Sequence, residues 1–107
     1  MAALSIQERK RLRQIGHALN PVVMIGSQGL TESVIEEINR ALNDHELIKV
    51  KVGGEDREAR SALITEIAEV SEAEIVQTIG KIVLLYKKAA KQNQKLSNLV
   101  RHAHLSN

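Results

Sequence analysis

The sequence has no cysteine, no phenylalanine and no tryptophan, and only one tyrosine and one proline in 107 residues. Without cysteine there is no disulfide, no thiolate nucleophile and no Cys-based zinc site. Tyr86 alone cannot supply the aromatic platform on which RNA-recognition motifs and cold-shock domains stack splayed bases. A nucleic-acid partner, if there is one, has to be held through backbone, phosphate and shape. No apolar run approaches the roughly 20 residues of a membrane span. The first residues pass from Met-Ala-Ala-Leu-Ser-Ile into Glu8-Arg9-Lys10-Arg11, with no apolar signal-peptide core between them. A cytoplasmic protein without a membrane partner is expected. Also missing are the G-x-G-x-x-G dinucleotide fingerprint, the Gly-Lys-Ser/Thr of a P-loop and the G-x-S-x-G nucleophile elbow. No cofactor and no small-molecule substrate are expected.

What is present is the balance of an ordinary soluble domain, 43% apolar and 26% charged, at a length that suits one domain with a modest core. The net charge of +2 conceals a segregation. Residues 1–29 carry a balance of +3, residues 30–79 of −7 and residues 80–107 of +6. Basic ends around an acidic middle suit a face turned to a polyanion. The basic tail by itself reads equally well as a solvating extension.

The stretch with the most chemistry is Pro21-Val-Val-Met-Ile-Gly26-Ser27-Gln28-Gly29-Leu-Thr31. Val22 to Ile25 predict a short strand buried on both faces. Thr31 stands where a helix N-cap is expected. The strand thus runs into a two-glycine loop that delivers the chain to a helix start. Glycines let a ligand approach the main chain, and the unpaired N–H groups at the helix start favour a phosphate. G-x-x-G is common by chance; its position between strand and helix is what gives it weight. The nearest mechanistic relative is the GXXG loop of KH domains, which clamps a nucleic-acid backbone, although there the loop joins two helices. The competing reading is a glycine-rich turn with no ligand.

Taken in order, Ser5 and Glu8 form a capping box for a helix from about residue 6 to 18, with Leu12, Ile15 and Leu19 on one side. Arg9, Arg13 and His17 recur on another side, with Lys10 beside them. Asn20-Pro21 stops this helix. Val34, Ile38, Ala41 and Leu42 mark a second helix. In Leu47 to Val52, Ile48, Val50 and Val52 alternate with Lys49 and Lys51, which predicts a strand with one buried and one wet, basic face. Gly53-Gly54 turns the chain, and Asp56 caps a third helix with Ala59, Leu63, Ile67 and Val70 inward. Residues 75–79 and 82–86 are strands joined by Gly80-Lys81, a connection suited to a type II′ hairpin. The order α-β-α-β-α-β-β predicts an α/β fold, a four-stranded mixed sheet with helices packed on it. Two strand–helix–strand crossovers predict parallel pairing, and the hairpin adds an antiparallel strand. Residues 1–86 form the domain. Residues 87–107 are a basic tail, either disordered or marginally helical.

Catalysis finds little support. His17, His45, His102 and His104 are scattered, and the last two would hold at most a stray metal ion. Glu55, Asp56 and Glu58 are accounted for by one helix cap and its first turn. Neither an enzyme nor a metal site is expected.

The segment from Leu19 to Thr31 closely resembles the signature of the bacterial YhbY family of stand-alone CRM domains. Residues 46–52, Asp56-Arg-Glu58 and residues 77–86 match in the right order, so the resemblance spans residues 5–86. It implies a fold similar to the C-terminal domain of bacterial translation initiation factor three. It also implies association with precursors of the large ribosomal subunit, with ribosomal RNA bound through Gly26, Ser27, Gln28 and Gly29 and the basic first helix, Arg9, Lys10 and Arg13. Many relatives carry a lysine inside the loop. Here Ser27 and Gln28 supply hydrogen bonds but no charge, so the affinity would lean on the first helix and on Lys49, Lys51 or Lys81. A monomer is expected. The alternatives are a protein–protein adaptor using the acidic middle helices, or an RNA chaperone in splicing or tRNA metabolism.

Overall fold

The computed structural model describes residues 4–26, 28–54 and 56–103. Helix α1 (Ile6–Gly16) begins at the expected capping box. The Ser5 hydroxyl accepts from the Glu8 N–H at 3.0 Å, and the Glu8 carboxylate accepts from the Ser5 N–H at 3.1 Å. Then come β1 (Pro21–Ile25), α2 (Glu32–His45), β2 (Leu47–Val52), α3 (Arg57–Ser71), β3 (Glu74–Ile79), β4 (Ile82–Tyr86) and a short α4 (Asn98–Arg101). Thr31 and Asp56 cap α2 and α3 through their side-chain oxygens, as their positions predict.

The four strands make one mixed sheet in the order β1-β2-β4-β3, with β1 and β2 parallel and β4 antiparallel to both of its neighbours. One expected pairing is therefore corrected. Strands β2 and β3 run the same way but do not touch, because β4 lies between them. The physical reason is composition. Val83, Leu84 and Leu85 are apolar on both faces and are 0%, 3% and 0% exposed, whereas β3 carries Glu74, Gln77 and Thr78. The strand that is apolar on both faces takes the central place, and its hairpin partner is left at the edge.

Helices α2 and α3 cover one face, with Ile38, Leu42, Ile64 and Ile67 against Val23, Ile25, Ile48, Val50, Val52, Val83 and Leu85. Helix α1 lies on the other face, where Leu12 and Ile15 meet Leu47, Val76 and Leu84. It covers only part of that face, so β1 is not buried on both sides as the sequence suggested. Val23 and Ile25 are buried, but Val22 is 49% and Met24 72% exposed. The inward stripe of α3 is also rotated from expectation. Ile64 and Ser71 join Ile67 in the core, while Ala59 and Val70 face outward.

The segment after Tyr86 lies back on the domain over residues 87–103. Its anchor is Glu46, a buried residue at the C-cap of α2 with φ 62°. The Glu46 carboxylate accepts from the Ala89 N–H at 2.9 Å, the Gln92 side-chain amide at 2.6 Å and the Ser97 hydroxyl at 2.8 Å. The Asn98 amide donates to the Leu47 carbonyl at 2.6 Å, and Leu99 packs against the α1 cluster. Burial by itself would raise the Glu46 pKa. The three hydrogen bonds, with the charge of Lys88, outweigh it and hold the carboxyl below its usual range.

Candidate nucleic-acid interface

Three loops meet along one edge of the sheet: Gly26 and residues 28–31 after β1, Gly53, Gly54 and Asp56 after β2, and the β3–β4 turn. Hydrogen bonds tie them together. The Gly53 N–H donates to the Ile25 carbonyl at 2.8 Å, and the Val52 N–H donates to the Lys81 carbonyl at 2.7 Å. The glycine loop itself is a closed turn in which the Gly29 N–H donates to the Gly26 carbonyl at 3.1 Å. That amide is therefore spent internally. The first turn of α2 offers donors to an anion: Thr31 Oγ1 already accepts from Val34, and the Glu32 and Ser33 amides have no helical acceptor.

The glycines here differ in what they do. Gly29 has φ +73°, so a side chain there is strained even though a Cβ would meet nothing. Gly26 is exposed, and a Cβ on it would also meet nothing within 4 Å. A Cβ on Gly53 would sit 2.8 Å from the Ile25 carbonyl oxygen, so Gly53 lets the ends of β1 and β2 close on each other. The sequence identified Gly53-Gly54 only as a turn. Its signal as part of the site was the glycine pair following the strand that pairs with β1. Gln28 is exposed at the loop tip. Ser27, Glu55 and His104 lie outside the described residues.

The predicted cations do not form one patch. Lys51 is exposed, cross-strand from Met24 and Ile82, and Lys81 is exposed at the hairpin tip, so both flank the loop edge. Arg9 lies toward the other end of the sheet. Its guanidinium donates to the Ile75 and Val76 carbonyls at 2.8 and 3.2 Å, at the bulge where β3 shifts register between Ile75 and Gln77. Lys10 is exposed beside it, and Arg13, one turn further along α1, is half-buried. Lys49 donates to the Leu19 carbonyl at 3.1 Å, pinning the segment that leads into β1. Two of the six cations thus hold backbone carbonyls of the fold, a use that residue type and spacing do not reveal. Tyr86 is half-buried against the α1 cluster, which removes the one aromatic ring as an exposed platform. Burial first, then the charges of Glu46 and Glu8, push its hydroxyl pKa up.

Among the described residues no three His, Asp or Glu side chains converge on a possible metal site, and no helix is long and apolar enough to cross a membrane. The sequence profile of the CRS1 / YhbY (CRM) domain matches residues 4–87. A probable RNA-binding protein of Pseudomonas aeruginosa is 48% identical over 101 residues, 94% of this chain and 97% of its own length. An RNA-binding protein of Haemophilus influenzae is 52% identical over 87 residues, 81% of this chain and 88% of its own length. The solution structure of a hypothetical protein from Staphylococcus aureus superposes with a TM-score of 0.73 at 29% identity, covering 89% of this chain and 98% of that one.

Proposed function

This chain belongs to the CRS1 / YhbY (CRM) domain family, and from that premise we propose that it binds ribosomal RNA in a precursor of the large ribosomal subunit, without catalysing a reaction. The observation that carries RNA binding is the glycine-lined edge, where a turn exposed at Gly26 and Gln28, the first turn of α2 and two exposed lysines lie together. The names of the Pseudomonas and Haemophilus relatives support RNA as the partner class, and the resemblance to the YhbY proteins supports the ribosomal precursor.

In this reading an RNA phosphate meets the Glu32 and Ser33 amides at the positive end of α2. Gly26 leaves the main chain open to close approach, and Ser27 and Gln28 add polar contacts. Lys51 and Lys81 flank the phosphate, and Lys10 and Arg13 extend the basic footprint along α1. Arg9 and Lys49 act by holding β3 and the entry to β1 in place. Phosphate contacts position an RNA without reading its sequence, so selectivity comes from the shape of the folded element.

Sedimentation through a low-magnesium sucrose gradient tests the reading. The tagged protein is expected to run with immature large-subunit particles and to leave them at moderate salt. A protein that stays at the top of the gradient at low salt overturns the ribosomal assignment. Gly29→Asp tests the loop, because aspartate tolerates the left-handed backbone better than most residues and brings a negative charge to the phosphate. RNA affinity unchanged in a folded Gly29→Asp variant removes the loop from the interface.

A further inference from the structure

We infer that the open half of the sheet holds one unpaired nucleobase of the bound RNA, in a cleft lined by His17, Lys49, Gln77, Ile79, Ile82 and Leu84. The inference rests on the RNA-binding reading and names the kind of RNA it takes. The cleft exists because α1 stops before it has covered its face of the sheet. Its volume is 150 Å³, the scale of a single base and well below the roughly 300 Å³ at which sites for larger ligands begin.

The lining has the chemistry a base requires. Leu84 is the buried floor, Ile82 is half-buried and Ile79 is 61% exposed. Met24, 72% exposed on β1, continues the apolar surface past Lys51. Large apolar side chains gathered in the open are uncommon on a surface that binds nothing. His17, exposed after the end of α1, offers an imidazole plane of the kind used to stack unpaired bases. Gln77 offers two donors and an acceptor for a base edge, and its side chain makes no hydrogen bond among the described residues. The β3 bulge aims it there. The register shift between Ile75 and Gln77 puts Val76 under α1 and Gln77 in the cleft, successive residues on one face.

The charges select the occupant. Among the described residues no carboxylate lines the cleft, Lys49 keeps two ammonium donors beyond the one given to Leu19, and Lys51 and Lys81 stand beside it for the neighbouring phosphates. A base inside a duplex cannot reach such a cleft, so the ligand is a nucleotide from a loop, a bulge or a strand end. The scarcity of aromatic residues limits the chain to one such base. It does not confine the chain to phosphate and shape alone, as composition suggested.

The test compares two hairpin RNAs of the same stem, one carrying a single unpaired nucleotide, by fluorescence anisotropy. The wild type is expected to prefer the bulged RNA by about fivefold or more, the low end of what one stacked base contributes. Gln77→Leu and Ile79→Thr, surface changes that respect strand propensity, are expected to abolish the preference without changing the salt dependence of binding, since no phosphate contact is lost. Equal affinity of the wild type for the two RNAs, or a preference that survives both substitutions, overturns the base cleft and leaves the phosphate site standing. Failure to bind either RNA at low salt overturns the RNA reading and the cleft with it.

Discussion

Gly26 and Gly29 are interchangeable letters in the loop motif and unlike residues in the molecule. Gly29 has left-handed φ, so Gly29→Ala is expected to lower stability by about 1 kcal/mol in urea denaturation. Gly26 has neither positive φ nor a close neighbour, so Gly26→Ala should change stability by less than about 0.5 kcal/mol. Any RNA affinity lost in Gly26→Ala then reports how closely the ligand approaches. Glu46 gives a second prediction at this scale. Its folded pKa lies below the usual carboxylate value, so its contribution to stability is complete above that value and is lost as pH falls through the lower folded pKa. Glu46→Gln cannot accept all three donors with an amide, and is expected to cost about 2 kcal/mol at neutral pH. The loss should shrink in acid, as followed by thermal denaturation from pH 7 to 3.

Among the elements, α1 combines two tasks that its sequence does not separate. Arg9 and Lys10 are neighbours of one charge, yet Arg9 reaches the bulged edge of β3 and Lys10 reaches solvent. Arg9→Ala is expected to cost about 2 kcal/mol, because it leaves two part-buried carbonyls without a charged donor, and Lys10→Ala less than about 0.5 kcal/mol. Urea titration of the two variants checks the contrast. On the loop edge the reverse holds for Lys51 and Lys81, whose ammonium groups bond nothing among the described residues. Substitution of either to alanine should leave stability unchanged and lower the salt slope of RNA binding by about 0.7–0.9, one phosphate contact each. The α2 and β2 patterns were legible because apolar residues at helical or alternating spacing meet one partner layer. The burial of β1 is not legible in its sequence, because four apolar residues in a row do not say how far a helix on the other face extends.

For the molecule as a whole, the return of residues 87–103 decides how the core is closed. Removing residues 88–107 would take away the Ala89, Gln92 and Ser97 donors of the Glu46 carboxylate and uncover the surface beneath Leu99. A fall in Tm of about 10 °C or more is expected for the truncated chain, and scanning calorimetry measures it. What the sequence by itself determined was local. The caps at Ser5, Thr31 and Asp56, the spacing of apolar residues and the glycine turn at Gly80 set the order and kind of the elements. The linear motifs sufficed to place the chain in its family. These signals act within a few residues, so they survive being read along a line. Only the tertiary structure decided that β4 separates β2 from β3, that Arg9 serves carbonyls 66 and 67 positions away, that Lys49 serves one 30 positions back, and that Glu46 holds a serine 51 positions on. The first depends on which strand is apolar on both faces, and the other three on which polar groups are brought side by side once the layers have packed; both are settled by the competition of whole surfaces for one core.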